Sequence, residues 1–115
     1  MGRVGEPSPP GVWRVLVDRL WPRGVRKDAG LWDVWLPDVA PSSPLRRWYH
    51  AHPEAWAEFR ERYRRELDDP VRRAALDRIR AWASDRPVRL LTAGRDPARS
   101  QIPVLLEALR DDARG

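Results

Sequence analysis

The chain has 115 residues, enough for one domain with its own core and too few for two. It contains no cysteine, which excludes disulfides and thiolate metal sites, and no stretch approaches the roughly 18–20 apolar residues that cross a bilayer. The formal net charge is +5, from 22 Lys+Arg against 17 Asp+Glu; Lys27 is the only lysine, so the basic side chains are almost all arginine, which can fork onto carboxylates and phosphates.

Residues 1–11 are rich in proline and glycine and read as an arm or turn, with Val4 suited to a short edge strand. They hold no apolar run of the kind a secretory leader needs, so a cytoplasmic location is expected. The run Val12-Trp13-Arg14-Val15-Leu16-Val17, ending at Asp18, is largely apolar and rich in β-branched valine. It predicts a strand buried on both faces, as in a parallel sheet. Trp21-Pro22-Arg23-Gly24 breaks it into a loop. Asp28 is positioned to cap a short helix through Leu36, stopped by Pro37.

Ser43-Pro44 is a helix start, with serine as cap and proline in the first turn. Pro53 opens the next helix, on which Trp56, Phe59, Tyr63 and Leu67 share one face. Glu54 and Glu58 lie early and Arg62, Arg64 and Arg65 late, an order that complements the helix dipole. Asp69-Pro70 repeats the cap-and-proline signal before the stripe Val71, Ala75, Ile79 and Trp82. Val88-Arg89-Leu90-Leu91-Thr92-Ala93 is a second strand, ended by Gly94. A last helix begins near Ser100 as cap and carries Ile102, Leu105, Leu106 and Leu109; Pro103 is tolerated in its first turn.

This order predicts a single α/β domain over 12–115: a small, mainly parallel sheet of two or three strands packed with about five helices. Residues 12–18 should pair in parallel with 88–93, using 28–84 as the crossover. The seven tryptophans (Trp13, Trp21, Trp32, Trp35, Trp48, Trp56 and Trp82) are expected chiefly as packing groups, with Trp56 and Trp82 mostly buried.

Parallel strands end at one edge of the sheet, which is where open α/β sheets usually bind ligands. Two polar segments emerge there: Asp18 and Arg19 with Arg23 close behind, and Thr92, Arg95 and Asp96 with Ser100 and Gln101 at the last helix. These eight residues are the candidate site. The N–H groups of the last helix should face them. One role for the cluster is an arginine-lined pocket for a small anionic ligand such as a phosphate or carboxylate. The other is structural, with Asp18 paired to Arg19, Arg23 or Arg95 to order the loops.

Other chemistry has little support. His50 and His52 cannot face the same side of one helix, so no metal site is expected. Ser42, Ser43, Ser84 and Ser100 lack evident histidine and acid partners. No P-loop or dinucleotide fingerprint is present, and no cofactor is expected. Acids interrupt Arg60-Glu61-Arg62-Tyr63-Arg64-Arg65-Glu66, which reads as a solvated face. A basic module contacting nucleic acid or an acidic protein is the alternative function; sequence-specific nucleic-acid binding is not expected. Either a monomer or a homodimer is compatible with the pattern.

The run Val15-Leu16-Val17-Asp18-Arg19-Leu20-Trp21-Pro22-Arg23-Gly24 resembles the signature of the YeaO-like bacterial proteins, a branch of domain of unknown function number 488. Trp35-Leu36, Ala40-Pro41-Ser42, Leu45-Arg46, Trp48, Phe59-Arg60, Arg62-Tyr63 and Glu66-Leu67 continue the likeness. The resemblance covers almost the whole chain from Val12 and implies no particular activity. YeaO-like members usually carry Asn-His where this chain has Ser100-Gln101. Longer cousins resemble the region with a cysteine after the strand and a Cys-His-Arg run at the helix, matched here by Thr92 and by Ser100, Gln101 and Ile102. By this resemblance the nucleophilic and basic groups are lost, while Asp18, Arg19, Arg23 and Asp96 are retained.

Overall fold

A computed structural model describes residues 1–112. Four strands form one sheet: β1 (Gly2–Arg3), β2 (Trp13–Leu16), β3 (Val34–Trp35) and β4 (Val88–Thr92). Their order is β1-β4-β2-β3, and every pairing is parallel. The expected central pair holds, with Trp13 opposite Val88 and Leu16 opposite Leu91. Val15, Leu16 and Val17 are fully buried, as are Leu90 and Leu91 to within a few per cent. Alternate residues point to opposite faces, so both faces of these strands are covered.

The helices are α1 (Ser43–Ala51), α2 (Trp56–Glu66), α3 (Pro70–Ala83) and α4 (Ile102–Asp112). Short 3-10 turns at Pro37–Val39 and Pro97–Arg99 complete the pattern. The sheet therefore has four strands rather than two or three. The count of about five helices becomes four α-helices and two 3-10 turns.

One expected helix is absent. The segment 28–36 forms no helix; its end is edge strand β3. Gly30 takes a left-handed φ of 67°, which no helix interior tolerates. The Asp33 N–H donates to the Arg14 carbonyl at 2.9 Å, and the Leu36 N–H to that of Leu16 at 2.8 Å. Arg14 then forks onto the Asp33 carboxylate at 3.1 Å through both Nε and Nη2. This pairing holds Asp33 below its ordinary pKa. Tertiary pairing has overridden a local cap signal, as short segments allow. At the other edge Arg89 pins the arm, donating to the Pro7 carbonyl at 2.7 Å and to Ser8 Oγ at 3.0 Å.

Two helix starts shift by one to three residues from the sequence reading. Ser42, not Ser43, caps α1, and Oγ accepts from the Leu45 N–H. Helix α2 starts at Trp56, after a turn containing Pro53. Asp69 caps α3 as expected, accepting from the Arg72 N–H at 2.8 Å. That bond, with Arg72 beside it, lowers the Asp69 pKa. Asp69→Ala should cost about 1 kcal/mol in urea melts at neutral pH, and Asp69→Asn much less, because asparagine also caps. Equal losses in the two variants would show that charge rather than capping matters.

Phe59 and Tyr63 of α2 and Leu67 just beyond its end meet Ala75, Leu76 and Ile79 of α3 and Ile102, Val104, Leu105 and Ala108 of α4 in one core. Val71 lies outside it, 59% exposed, and Leu76 takes its place on the α3 stripe. All seven tryptophans are partly buried, and Trp56 and Trp82 are more covered than exposed and pack against the core, as expected. Each packs one part of its ring on the core or on another ring: Trp82 meets Trp13 at 6.4 Å, and Trp56 meets Phe59 at 5.8 Å. The indole is too large to be enclosed by so small a core.

Candidate functional site

The ends of β2 and β4 lie side by side, so Asp18 emerges next to Thr92. The Asp18 carboxylate accepts from Thr92 Oγ at 2.7 Å, from the Ala93 N–H at 2.7 Å and from Gln101 Nε2 at 2.8 Å. Gln101 also donates to the Val17 carbonyl at 3.1 Å. Thr92 Oγ in turn accepts from the Gly94 N–H at 3.1 Å. One carboxylate therefore ties together the ends of both central strands and the entry to α4. The structural role foreseen for Asp18 is present, but its partners are neutral donors and not Arg19, Arg23 or Arg95.

The loop after β2 is braced by aromatic rings. Trp35 Nε1 donates to the Asp18 carbonyl and Trp21 Nε1 to the Val25 carbonyl, each at 2.7 Å. Trp21 meets Trp32 and Trp35 edge-on, at 4.7 and 5.4 Å. On the facing loop, Asp96 caps the 3-10 turn by accepting from the Ala98 N–H at 3.2 Å. Tyr49 of α1 donates to the Arg99 carbonyl at 3.1 Å, and burial raises its phenol pKa.

These loops border an open cleft of about 710 Å3. All eight candidate residues line it: Asp18, Arg19, Arg23, Thr92, Arg95, Asp96, Ser100 and Gln101. So do several that the sequence reading missed as site residues, among them Leu20, Trp21, Arg46, Tyr49, His50 and Arg99. Arg46 and His50 are four apart on α1 and so share a face. That spacing was legible, but which face meets the sheet edge was not.

The charge pattern separates this cleft from the rest of the surface. Arg60 forks onto Glu107 at 2.8 and 2.6 Å, and Arg64 pairs with Asp111 at 3.1 Å. Arg62 pairs with Glu58 and Arg65 with Glu61. The basic run on α2 is thus neutralised by carboxylates. In the cleft, Arg19, Arg23, Arg46, Arg95 and Arg99 are exposed and form no ion pair among the described residues, and Asp18 and Asp96 are occupied by neutral donors.

The start of α4 adds less than expected. Ser100 Oγ accepts from the Ile102 N–H at 3.1 Å, the Leu105 N–H bonds back to the Gln101 carbonyl, and Pro103 has no N–H. The positive character of the cleft comes from guanidinium groups and not from the helix end. A second concavity of about 530 Å3, at Ser42, Leu45, Arg62, Arg65 and Glu66, differs in this respect. Its Glu66 is bonded to the Ser42 N–H and hydroxyl, and both its arginines are paired.

Among the described residues no cluster of His, Asp or Glu is suited to a metal ion, and no helix is long and apolar enough to cross a membrane. His52 is engaged at the end of α1, its Nδ1 2.9 Å from the Trp48 carbonyl and its ring stacked on Trp48.

Comparison with known proteins gives the context of this site. A family model described as the inactive DUF488-N3 subclade matches residues 3–114. The chain belongs to this DUF488 family. It is 48% identical over 96 residues to the uncharacterised protein Rv3073c of Mycobacterium tuberculosis, covering 84% of this chain and 79% of that one. It is 35% identical over 98 residues to the uncharacterised protein YeaO of Escherichia coli, covering 85% and 84%. The likeness to the YeaO-like proteins read from the sequence is thereby established. No solved structure matches.

Proposed function

We propose that this DUF488 protein binds a small anionic ligand in the cleft at the carboxyl ends of β2 and β4, and that it does so without catalysing a reaction on it. The observation that carries the reading is the set of five arginines around one concavity that form no ion pair among the described residues, in a chain whose α2 arginines are matched to carboxylates. Unneutralised guanidinium groups around a concave site favour phosphate or carboxylate oxygens, which they can grip two at a time.

A binding role is supported over a catalytic one by the hydroxyls on offer. Thr92 is 3% exposed and donates to Asp18, and Ser100 donates to the Pro97 carbonyl at 2.7 Å. Neither is presented as a free nucleophile beside a base. The family's description as an inactive subclade points the same way.

The test compares melting temperatures in phosphate and in chloride at matched ionic strength. Phosphate should stabilise the wild type by mass action, and Arg23→Ala should abolish the gain while leaving the melting temperature in chloride unchanged. An equal response to the two salts would remove the basis of the proposal. The basic-module alternative has no such observation behind it, because the arginines of α2 are already paired. Nucleic acid should bind only weakly and lose its hold as salt rises.

A further inference from the structure

We infer that the ligand of this cleft is an organic diphosphate, with its phosphates on the arginines and its organic body against Leu20 and Trp21. This rests on the reading of the cleft as an anion site and narrows it by charge, size and surface. Five arginines against two aspartates leave an excess of three positive charges. One phosphate group carries about −1.5 to −2 at neutral pH and would leave part of that excess uncompensated. A second phosphate supplies the remainder.

The arginines also come from three separate segments: the loop after β2, helix α1 and the loop after β4. A single phosphate offers room for only a few forked contacts. A ligand with two linked phosphates presents oxygens to more than one of these segments at once. The cleft is open to solvent, and its volume of about 710 Å3 greatly exceeds an inorganic anion and leaves room for a larger molecule.

The remaining surface is apolar. Leu20 lines the cleft while 59% exposed, one of only three large hydrophobic side chains so exposed among the described residues. Trp21 beside it is held by its Nε1 bond to the Val25 carbonyl and by two edge-on rings. A fixed indole and a bare leucine next to guanidinium groups form a platform for a carbon skeleton attached to the phosphates. Either a nucleoside or an isoprenoid would fit that description, since both join a diphosphate to an apolar body.

Titration calorimetry at constant ionic strength with inorganic phosphate, pyrophosphate, ADP and geranyl diphosphate tests this. Pyrophosphate should bind at least about tenfold more tightly than phosphate, the gain expected of one further charge-assisted contact. At least one of the two organic diphosphates should bind more tightly again, and which one does so identifies the kind of body. Leu20→Ser should remove the organic increment and leave pyrophosphate affinity unchanged, while Arg23→Gln and Arg95→Gln should each weaken pyrophosphate. These side chains are exposed, so the variants should fold; unchanged melting without ligand checks that. Equal affinity for phosphate and pyrophosphate would overturn the inference and leave the anion site standing. Organic diphosphates no tighter than pyrophosphate would overturn it in the same way. No binding of either inorganic anion would sink the anion site itself.

Discussion

Tyr63→Ala should destabilise the protein by about 3–5 kcal/mol, the range found when large buried aromatic side chains are truncated. Tyr63 is fully buried at the meeting of α2 with the rest of the core, stacked near Phe59 at 5.7 Å. Its hydroxyl donates to the Val39 carbonyl at 2.5 Å, tying α2 to the 3-10 turn that leads into α1. Burial raises the phenol pKa well above its ordinary value. Tyr63→Phe should keep the packing and lose only that bond, at about 1–2 kcal/mol. Small domains are stable by only about 5–15 kcal/mol, so the alanine variant should be near its limit at 37 °C. Urea melts with matched slopes read both numbers. A Tyr63→Phe loss as large as that of Tyr63→Ala would show that the hydroxyl bond, and not the volume, holds this junction.

The sequence reading succeeded where periodicity and caps act over a whole element. The run from Val12 to Val17 and the run from Val88 to Ala93 are mostly apolar on both faces, and they pair in parallel. Asp69-Pro70 caps α3 as its residues predict. It failed where a few residues are decided by distant partners. Asp28 looks like a cap, yet Val34 and Trp35 form a strand because β2 has an open edge and Arg14 waits for Asp33. By contrast, the edge strand expected near Val4 does form, one or two residues earlier: Gly2 and Arg3 pair with Leu91 and Thr92, and the Val4 N–H donates to the Thr92 carbonyl. Trp56 and Trp82 pack against the core as their stripes predict, more covered than exposed, with ring size keeping each at its boundary.

The candidate site was legible because parallel strands must end together. Once β2 and β4 were read, Asp18 and Thr92 had to be neighbours. The residues from α1 were not legible, since nothing local fixes the rotation of that helix over the sheet edge. Nor could the sequence show which donors Asp18 would choose. Arginine is the stronger electrostatic partner, but the carboxylate lies between a buried hydroxyl, a backbone N–H and a glutamine amide.

That choice leads to the second large effect. Asp18→Ala should cost about 2–4 kcal/mol, because hydrogen bonds to a charged acceptor contribute about 1.5–3 kcal/mol each and water can replace only the exposed ones. The Thr92 hydroxyl is buried and would lose its acceptor, while the Ala93 N–H lies where solvent reaches it. Asp18→Asn keeps the shape and one acceptor oxygen but brings an amide donor against donors, so it should fall between wild type and alanine. Phosphate affinity should move in the opposite direction to stability. Among the described residues Asp18 forms no ion pair with a cleft arginine, and removing its negative charge makes the cleft more positive. Phosphate should therefore bind Asp18→Asn at least as tightly as wild type, in the same calorimetric titration and at the same ionic strength. The alternative is that Asp18 orients an arginine or handles a proton of the ligand. In that case Asp18→Asn would keep most of its stability and lose phosphate binding, the reverse of the pattern expected here.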